Sequence, residues 1–247
     1  MKKQVLAAAL LSTLASTSVL AQDDVKPFTL EGGLGFIFTS GNTETTSINA
    51  SLEGHQELEK WSNDYTLEGL YKEETVDVDG EEVDRTSAQK FFASGQGNYK
   101  LENPDYRLFG FGSYEDDRFS SYNYQATLAA GWNQKVWETD NTSFEYSVGP
   151  GYSWAETQED EEQNSFIVRA SGAFEWLISD TAKFSQTLST EVGSENTKSR
   201  AESALTATIS GSLSMKLSVK LDHNSNVNEG VEKLDTATAV TLVYSFF

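Results

Sequence analysis

Phe144-Glu-Tyr-Ser-Val-Gly-Pro-Gly-Tyr-Ser-Trp154 is the stretch whose reading decides the fold. One alternate set of residues is Phe144, Tyr146, Val148, Pro150, Tyr152 and Trp154; the other is Glu145, Ser147, Gly149, Gly151 and Ser153. A period of two places each set on one face of a β-strand. The apolar face starts and ends on an aromatic ring, and the opposite face holds a charge and small polar groups. A soluble sandwich would put apolar residues on its hidden face. A membrane barrel turns that face to lipid and places rings at both interfaces.

The pattern extends in both directions. Phe166, Val168, Ala170, Phe174 and Trp176 oppose Arg169, Ser171 and Glu175, and Leu213, Met215, Leu217, Val219 and Leu221 oppose Ser214, Lys216, Ser218, Lys220 and Asp222. Such segments start near Thr29, Thr46, Ser62, Ala88, Tyr106, Asn123, Ser143, Phe166, Lys183, Lys198, Ser212 and Thr236. In the fifth, Leu108 competes with Phe109 and Phe111 for the apolar face, which leaves the register over 106–118 open. Rings bracket the apolar faces at Phe28 and Phe38, Trp61 and Tyr71, Tyr122 and Trp132, Phe144 and Trp154, and Phe166 and Trp176. The expectation is an all-β, transmembrane, antiparallel up-and-down β-barrel of about twelve strands spanning 22–247.

With an even strand number both termini lie on the periplasmic side. The even connections then read as tight turns: 58–60, 102–105, 138–141, 179–181 and 210–211. The odd ones read as outer loops: 40–43, 73–85, 116–121, 156–163, 193–196 and 224–233. The last strand ends Val240-Thr-Leu-Val-Tyr-Ser-Phe-Phe247, and Val240, Leu242, Tyr244 and Phe246 share one face, with Phe247 one residue past that register. This aromatic ending resembles the insertion signal that barrel-assembly machinery reads.

Lys2 and Lys3, the Ala- and Leu-rich run to Leu20, and Val19-Leu20-Ala21 form a signal peptide over 1–21. Ser and Thr interrupt the run, which falls short of the roughly 20 apolar residues of a spanning helix. No cysteine is present, so neither a lipid anchor nor a disulfide is available. The chain carries 38 acidic against 18 basic residues, a formal charge of −20. That balance argues against nucleic acid as a partner, since phosphate binding needs a basic surface. It suits an exported protein of the bacterial outer membrane, in contact with outer-membrane lipids and lipopolysaccharide.

The first hairpin, Gly35-Phe-Ile-Phe-Thr-Ser-Gly-Asn-Thr-Glu-Thr-Thr-Ser-Ile48, together with the aromatic last strand, resembles the YdiY-type salt-induced outer-membrane protein family, a family of unknown function. The resemblance implies an outer-membrane location and a link to salt or osmotic adaptation; it brings no catalytic residue and no substrate.

No phosphate loop or dinucleotide fingerprint is present. His55 falls on the polar face of the second strand and His223 at the outer end of the eleventh, neither in a recognisable Ser/His/acid arrangement, so no catalytic residue, cofactor or metal centre is expected. Asp77-Val-Asp-Gly-Glu-Glu-Val-Asp84 has part of a calcium-loop spacing, and Glu159-Asp-Glu-Glu162 is a second acidic cluster; both are candidates for gathering divalent cations.

With apolar residues assigned to lipid, Glu31, Glu53, Glu68, Lys90, Arg169, Glu175, Lys216 and Lys220 point into the lumen, as do Lys100, Glu145, Glu191 and Glu202. Facing lipid near the midplane, a Lys or Arg would cost about 2–4 kcal/mol. The leading expectation is a narrow hydrophilic pore for small solutes or cations. Its competitors are a barrel plugged by ion pairs that serves envelope integrity, an outer-membrane lipid hydrolase, and a soluble periplasmic β-protein.

Overall fold

The computed structural model describes residues 27–39, 44–78, 81–228 and 231–247. The expected signal peptide and the Gly41-Asn42-Thr43 turn lie outside them. Twelve strands follow in order: β1 (Phe28–Thr39), β2 (Glu44–Glu57), β3 (Trp61–Val78), β4 (Glu81–Lys100), β5 (Tyr106–Asp117), β6 (Tyr122–Glu138), β7 (Thr142–Thr157), β8 (Ser165–Ser179), β9 (Ala182–Gly193), β10 (Thr197–Ser210), β11 (Leu213–Asn224) and β12 (Leu234–Ser245). Each pairs antiparallel with its chain neighbours, and β12 returns to β1 to close the barrel. Closure is the solution that leaves an antiparallel sheet without edges.

The barrel is polar inside and apolar outside. Among the described residues, fourteen of those buried are polar or charged and seven are apolar. The large apolar side chains face outward, with Leu128 at 59% and Phe166 at 82% exposure. A soluble sandwich would show the reverse, and the fold therefore excludes that architecture.

The even connections are short turns at one end, which also carries the termini: 58–60, 101–105, 139–141, 180–181 and 211–212. Gly211 has φ +53°, a left-handed value that glycine adopts without steric cost and that lets two residues reverse the chain. The opposite end carries 118–121, 158–164, 194–196 and 225–233. We call the two ends the terminal end and the loop end.

Three sequence expectations need correction. First, 73–85 is no open loop. β3 and β4 stay paired through Glu73↔Thr86 to Val78↔Glu81, so Asp77, Glu81, Glu82 and Asp84 belong to two ladder strands. In sequence Val76 and Val78 keep the period of two, and the Val76↔Val83 pair continues the ladder. The turn of the calcium-loop spacing, residues 79–80, lies outside the described residues. Second, Tyr122 is no girdle residue. The β6–β7 register shifts between Tyr122 and Tyr124, and the extra residue turns Tyr122 inward to 3% exposure. Tyr124 takes the outward position and stacks on Tyr114 at 6.2 Å. Third, Asp116 and Asp117 belong to β5 rather than to the loop after it.

The open register of β5 resolves with Leu108 outward at 50% exposure and Phe109 inward at 3%. Around Pro150 the β6–β7 ladder passes from Ala129↔Gly151 directly to Trp132↔Val148. Proline has no N–H to give a ladder, and here it sits exposed on the outer face. At the terminal end, Phe246 donates its N–H to the Leu30 carbonyl at 2.8 Å, carrying the β1 seam one residue past the strand. Val240, Leu242, Tyr244, Phe246 and Phe247 are all exposed, and the Phe247 ring lies 6.0 Å from Phe28.

Candidate functional site in the barrel interior

The inward faces enclose a polar cavity of about 1250 Å³. Ten carboxylates and eight Lys or Arg side chains line it, with Ser, Thr, Asn and Gln between them. Glu31, Glu53, Glu68, Arg169, Glu175, Lys216 and Lys220 all lie on this wall. Lys90 is inward too, in the ion-pair layer at the loop-end side of the cavity.

Two layers of ion pairs cross the interior. Nearer the loop end, Glu115 of β5 meets Arg200 of β10 at 2.6 Å, Lys198 of β10 at 3.4 Å and Lys90 of β4 at 3.5 Å. Asp222 of β11 meets the same Arg200 at 2.5 Å and the same Lys90 at 3.2 Å, and Asp117 stands 3.7 Å from Lys90. The strands β4–β5 and β10–β11 lie on opposite sides of a twelve-stranded barrel, so these pairs bridge its width. Three cations and three carboxylates balance. Arg200 also stacks over the Phe92 ring, 4.2 Å from its centre, which orients the guanidinium plane.

The second layer sits deeper. Lys216 holds Glu53 at 3.1 Å and Glu202 at 3.0 Å; Lys220 holds Glu68 at 2.5 Å and Glu202 at 3.4 Å. Three carboxylates face two lysines here. Beside these layers Arg169 stacks 3.6 Å over Phe111, lies 3.5 Å from Glu191, and donates to Ser171 at 3.0 Å; Thr127 donates to Glu191 at 2.8 Å. Towards the terminal end the pairs are local ones: Glu175 with Lys183 at 3.3 Å, Arg107 with Glu145 at 3.6 Å, Lys100 with Glu57, and Ser245 donating to Glu31 at 3.1 Å. His55 lines this part of the cavity and bonds Asp64 at 2.7 Å.

Over the loop end lies a strap. Asn228 donates its N–H to Ser121 Oγ at 2.8 Å, and the inward Tyr122 hydroxyl donates to the Asn226 carbonyl at 2.8 Å. Asn226 also donates to Asn196 Oδ1 at 3.1 Å through its N–H and to Gln163 Oε1 at 3.4 Å through its amide. Four loops thus converge on Asn226 and Asn228, reaching across the mouth from β11–β12 to β5–β6. Sequence reading did not single out Glu115, Arg200 or the strap. Glu115 sat in the strand of open register, and Tyr122 was placed on the wrong face by one bulged residue.

Residues 32–246 match the family model described as "Protein of unknown function, DUF481". The chain belongs to the DUF481 family. A relative in it is "Uncharacterized protein YdiY" of Escherichia coli (strain K12), 30% identical over 223 residues, which are 89% of this chain and 84% of that protein. The sequence resemblance to the YdiY-type family is thereby established. The NanC porin matches this DUF481 barrel with a TM-score of 0.51 at 11% identity, over 89% of this chain and all of that one. The COG4313 outer membrane channel from Pseudomonas putida F1 matches with a TM-score of 0.50 at 8% identity, over 92% and 100%. At those identities the likeness concerns the fold: a closed twelve-stranded antiparallel barrel of the kind built by outer-membrane porins and channels.

Proposed function

We propose that this DUF481 protein spans the bacterial outer membrane as a narrow hydrophilic channel, held closed at rest by its own charges. The observation that carries the reading is the water-accessible cavity of about 1250 Å³ lined by ten carboxylates and eight basic groups. A barrel meant only as a wall has no need of a hydrated, charged interior, and a filled core serves small barrels as well. The excess of carboxylate on the wall, and the three-to-two balance of the Glu53, Glu68, Glu202, Lys216 and Lys220 layer, favour small cations over anions.

An export signal over 1–21 would deliver the chain, and the outward face of Val240, Leu242, Tyr244 and Phe246 with Phe247 would engage the assembly machinery. The loop end then faces the cell exterior, where the acidic Glu159–Glu162 segment meets lipopolysaccharide and its divalent cations. We assign the interior no catalytic step. His55 serves this reading as a wall residue paired with Asp64.

The second reading, a closed barrel for envelope integrity, draws on the cross-lumen pairs around Glu115 and on the strap. Single-channel recording separates the two. The refolded protein in a planar bilayer should show small, infrequent, cation-preferring steps, and Arg200→Gln should make them larger and more frequent. Silence from folded Arg200→Gln protein assigns the barrel to the wall instead.

A further inference from the structure

The charges on the cavity wall are sorted by side. β1, β2 and β3 bring Glu31, Glu53, Glu57, Asp64 and Glu68 to it and no Lys or Arg. β8 to β11 bring six Lys or Arg against three carboxylates. β2 stands six strands from β8 in the ring of twelve, so the two arcs look at one another across the lumen. A solute between them lies in a field that runs across the barrel rather than along it.

Within the basic arc, Arg169 keeps hydrogen-bonding capacity in reserve. It lines the cavity and is buried, with 6% exposure. Its side chain runs from β8 to β5, where the guanidinium lies 3.6 Å over the Phe111 ring. Between those strands, β6 and β7 turn only Ala129, Gly131, Gly149 and Gly151 inward along this stretch. The two backbones come so close that a Cβ on Gly149 would stand 2.1 Å from the Ala130 carbonyl oxygen, and one on Gly131 2.4 Å from that of Val148. Glycine permits that approach and leaves a floor free of side chains beneath the arginine.

Held flat, Arg169 donates to Ser171 Oγ at 3.0 Å, and Ser171 shares a hydrogen bond of 2.6 Å with Ser147. Glu191 stands 3.5 Å from Nε without a hydrogen bond to it, and among the described residues Nε has no acceptor. Arg200 differs, meeting Glu115 at 2.6 Å and Asp222 at 2.5 Å. A buried charged donor left unsatisfied is a standing cost that an incoming acceptor relieves.

The facing side has the opposite surplus. Glu53, Glu68 and Glu202 share two lysines, Lys216 and Lys220, which leaves one carboxylate charge over. Glu31 accepts from Ser245 and, among the described residues, pairs with no Lys or Arg. A lone anion at Arg169 would sit beside Glu191, and a lone cation at Glu53 and Glu68 would leave the Arg169 Nε unanswered. A solute that carries both charges answers both walls.

We propose that the lumen at Arg169 is a binding site for a small zwitterion, its carboxylate on the Arg169 guanidinium and the Ser171 hydroxyl and its ammonium towards Glu53 and Glu68. The site deepens the channel reading by naming a class of solute, and rests on that reading for the solute's route.

Titration calorimetry tests it on protein refolded in detergent micelles, with only preparations showing the heat-modifiable mobility of a folded barrel being read. The titrants are glycine and 4-aminobutyrate as zwitterions, and butyrate and butylammonium as single charges, at equal ionic strength. The expected result is saturable heat from a zwitterion, with a dissociation constant about tenfold larger for each single-charge analogue, the worth of one charge-assisted hydrogen bond. Arg169→Gln should weaken the zwitterion about tenfold and leave butylammonium unchanged. Glu53→Gln, the second variant, should weaken the zwitterion and butylammonium alike. Butylammonium binding as tightly as the zwitterions overturns the site, since a cation site needs no arginine. Butyrate binding as tightly, or no saturable heat from either zwitterion, overturns it too. Zwitterion binding by protein that passes no current in a planar bilayer keeps the site and loses only the channel; current without such binding keeps the channel and loses the site.

Discussion

The two halves of the interior use the same kinds of residue to opposite effect. Towards the loop end, Lys90, Glu115, Asp117, Lys198, Arg200 and Asp222 come from strands on opposite sides and meet in the middle. Towards the terminal end, Arg107 with Glu145 and Lys183 with Glu175 come from adjacent or near strands and lie along the wall. Pairing across closes a lumen, and pairing along the wall leaves it open. Charge content alone does not distinguish a plug from a pore. What decides is whether partners sit on facing strands or on the same side.

The comparison breaks most severely at Glu115, which three cations share. Glu115→Ala should leave Lys90, Lys198 and Arg200 repelling one another in a confined space. Removing one partner of a buried ion pair costs about 3–5 kcal/mol where water is excluded and less in a wetted lumen. The measurable outcome is a lower unfolding midpoint in detergent together with enlarged conductance steps; an unchanged midpoint and unchanged steps would show that the bridge closes nothing. A smaller effect is expected from the strap. Replacing Ser121 and Asn196 with Ala, which removes the side-chain acceptors of the Asn228 and Asn226 N–H groups, should raise open probability and leave the unfolding midpoint within error, because those bonds span loops rather than strands. Tyr122→Phe is milder still: it deletes one hydroxyl donor to Asn226, a bond worth roughly 0.5–1.5 kcal/mol, and should shorten closed intervals only slightly. The smallest change is selectivity at the deeper layer. Glu53→Gln brings it to two carboxylates against two lysines, and should reduce cation preference in a salt-gradient reversal potential while step size stays the same.

Much of this was legible in the sequence because a strand declares its two faces through a period of two. The alternation from Phe144 to Trp154 and from Leu213 to Leu221 reports an apolar outer face and a polar inner one, whatever the partner strand. The same periodicity put Glu53, Glu68, Arg169, Lys216 and Lys220 inward. It failed where one residue breaks it. At Tyr122 the bulge moves a ring from the belt to the lumen, and at Glu73–Arg85 charge density suggests a loop where β3 and β4 stay paired.

The sequence by itself therefore determined the barrel, its strand number and the polarity of its faces, since these depend on local alternation and on what lipid tolerates. Only the tertiary structure decided which charges meet. The separation between Glu115 and Arg200 is set by closure of twelve strands and by the stagger between them, not by anything within either strand. It also decided that the β1–β12 ladder runs only from Glu31↔Ser245 to Leu34↔Leu242, because a seam joins the two ends of the barrel and no local signal couples them.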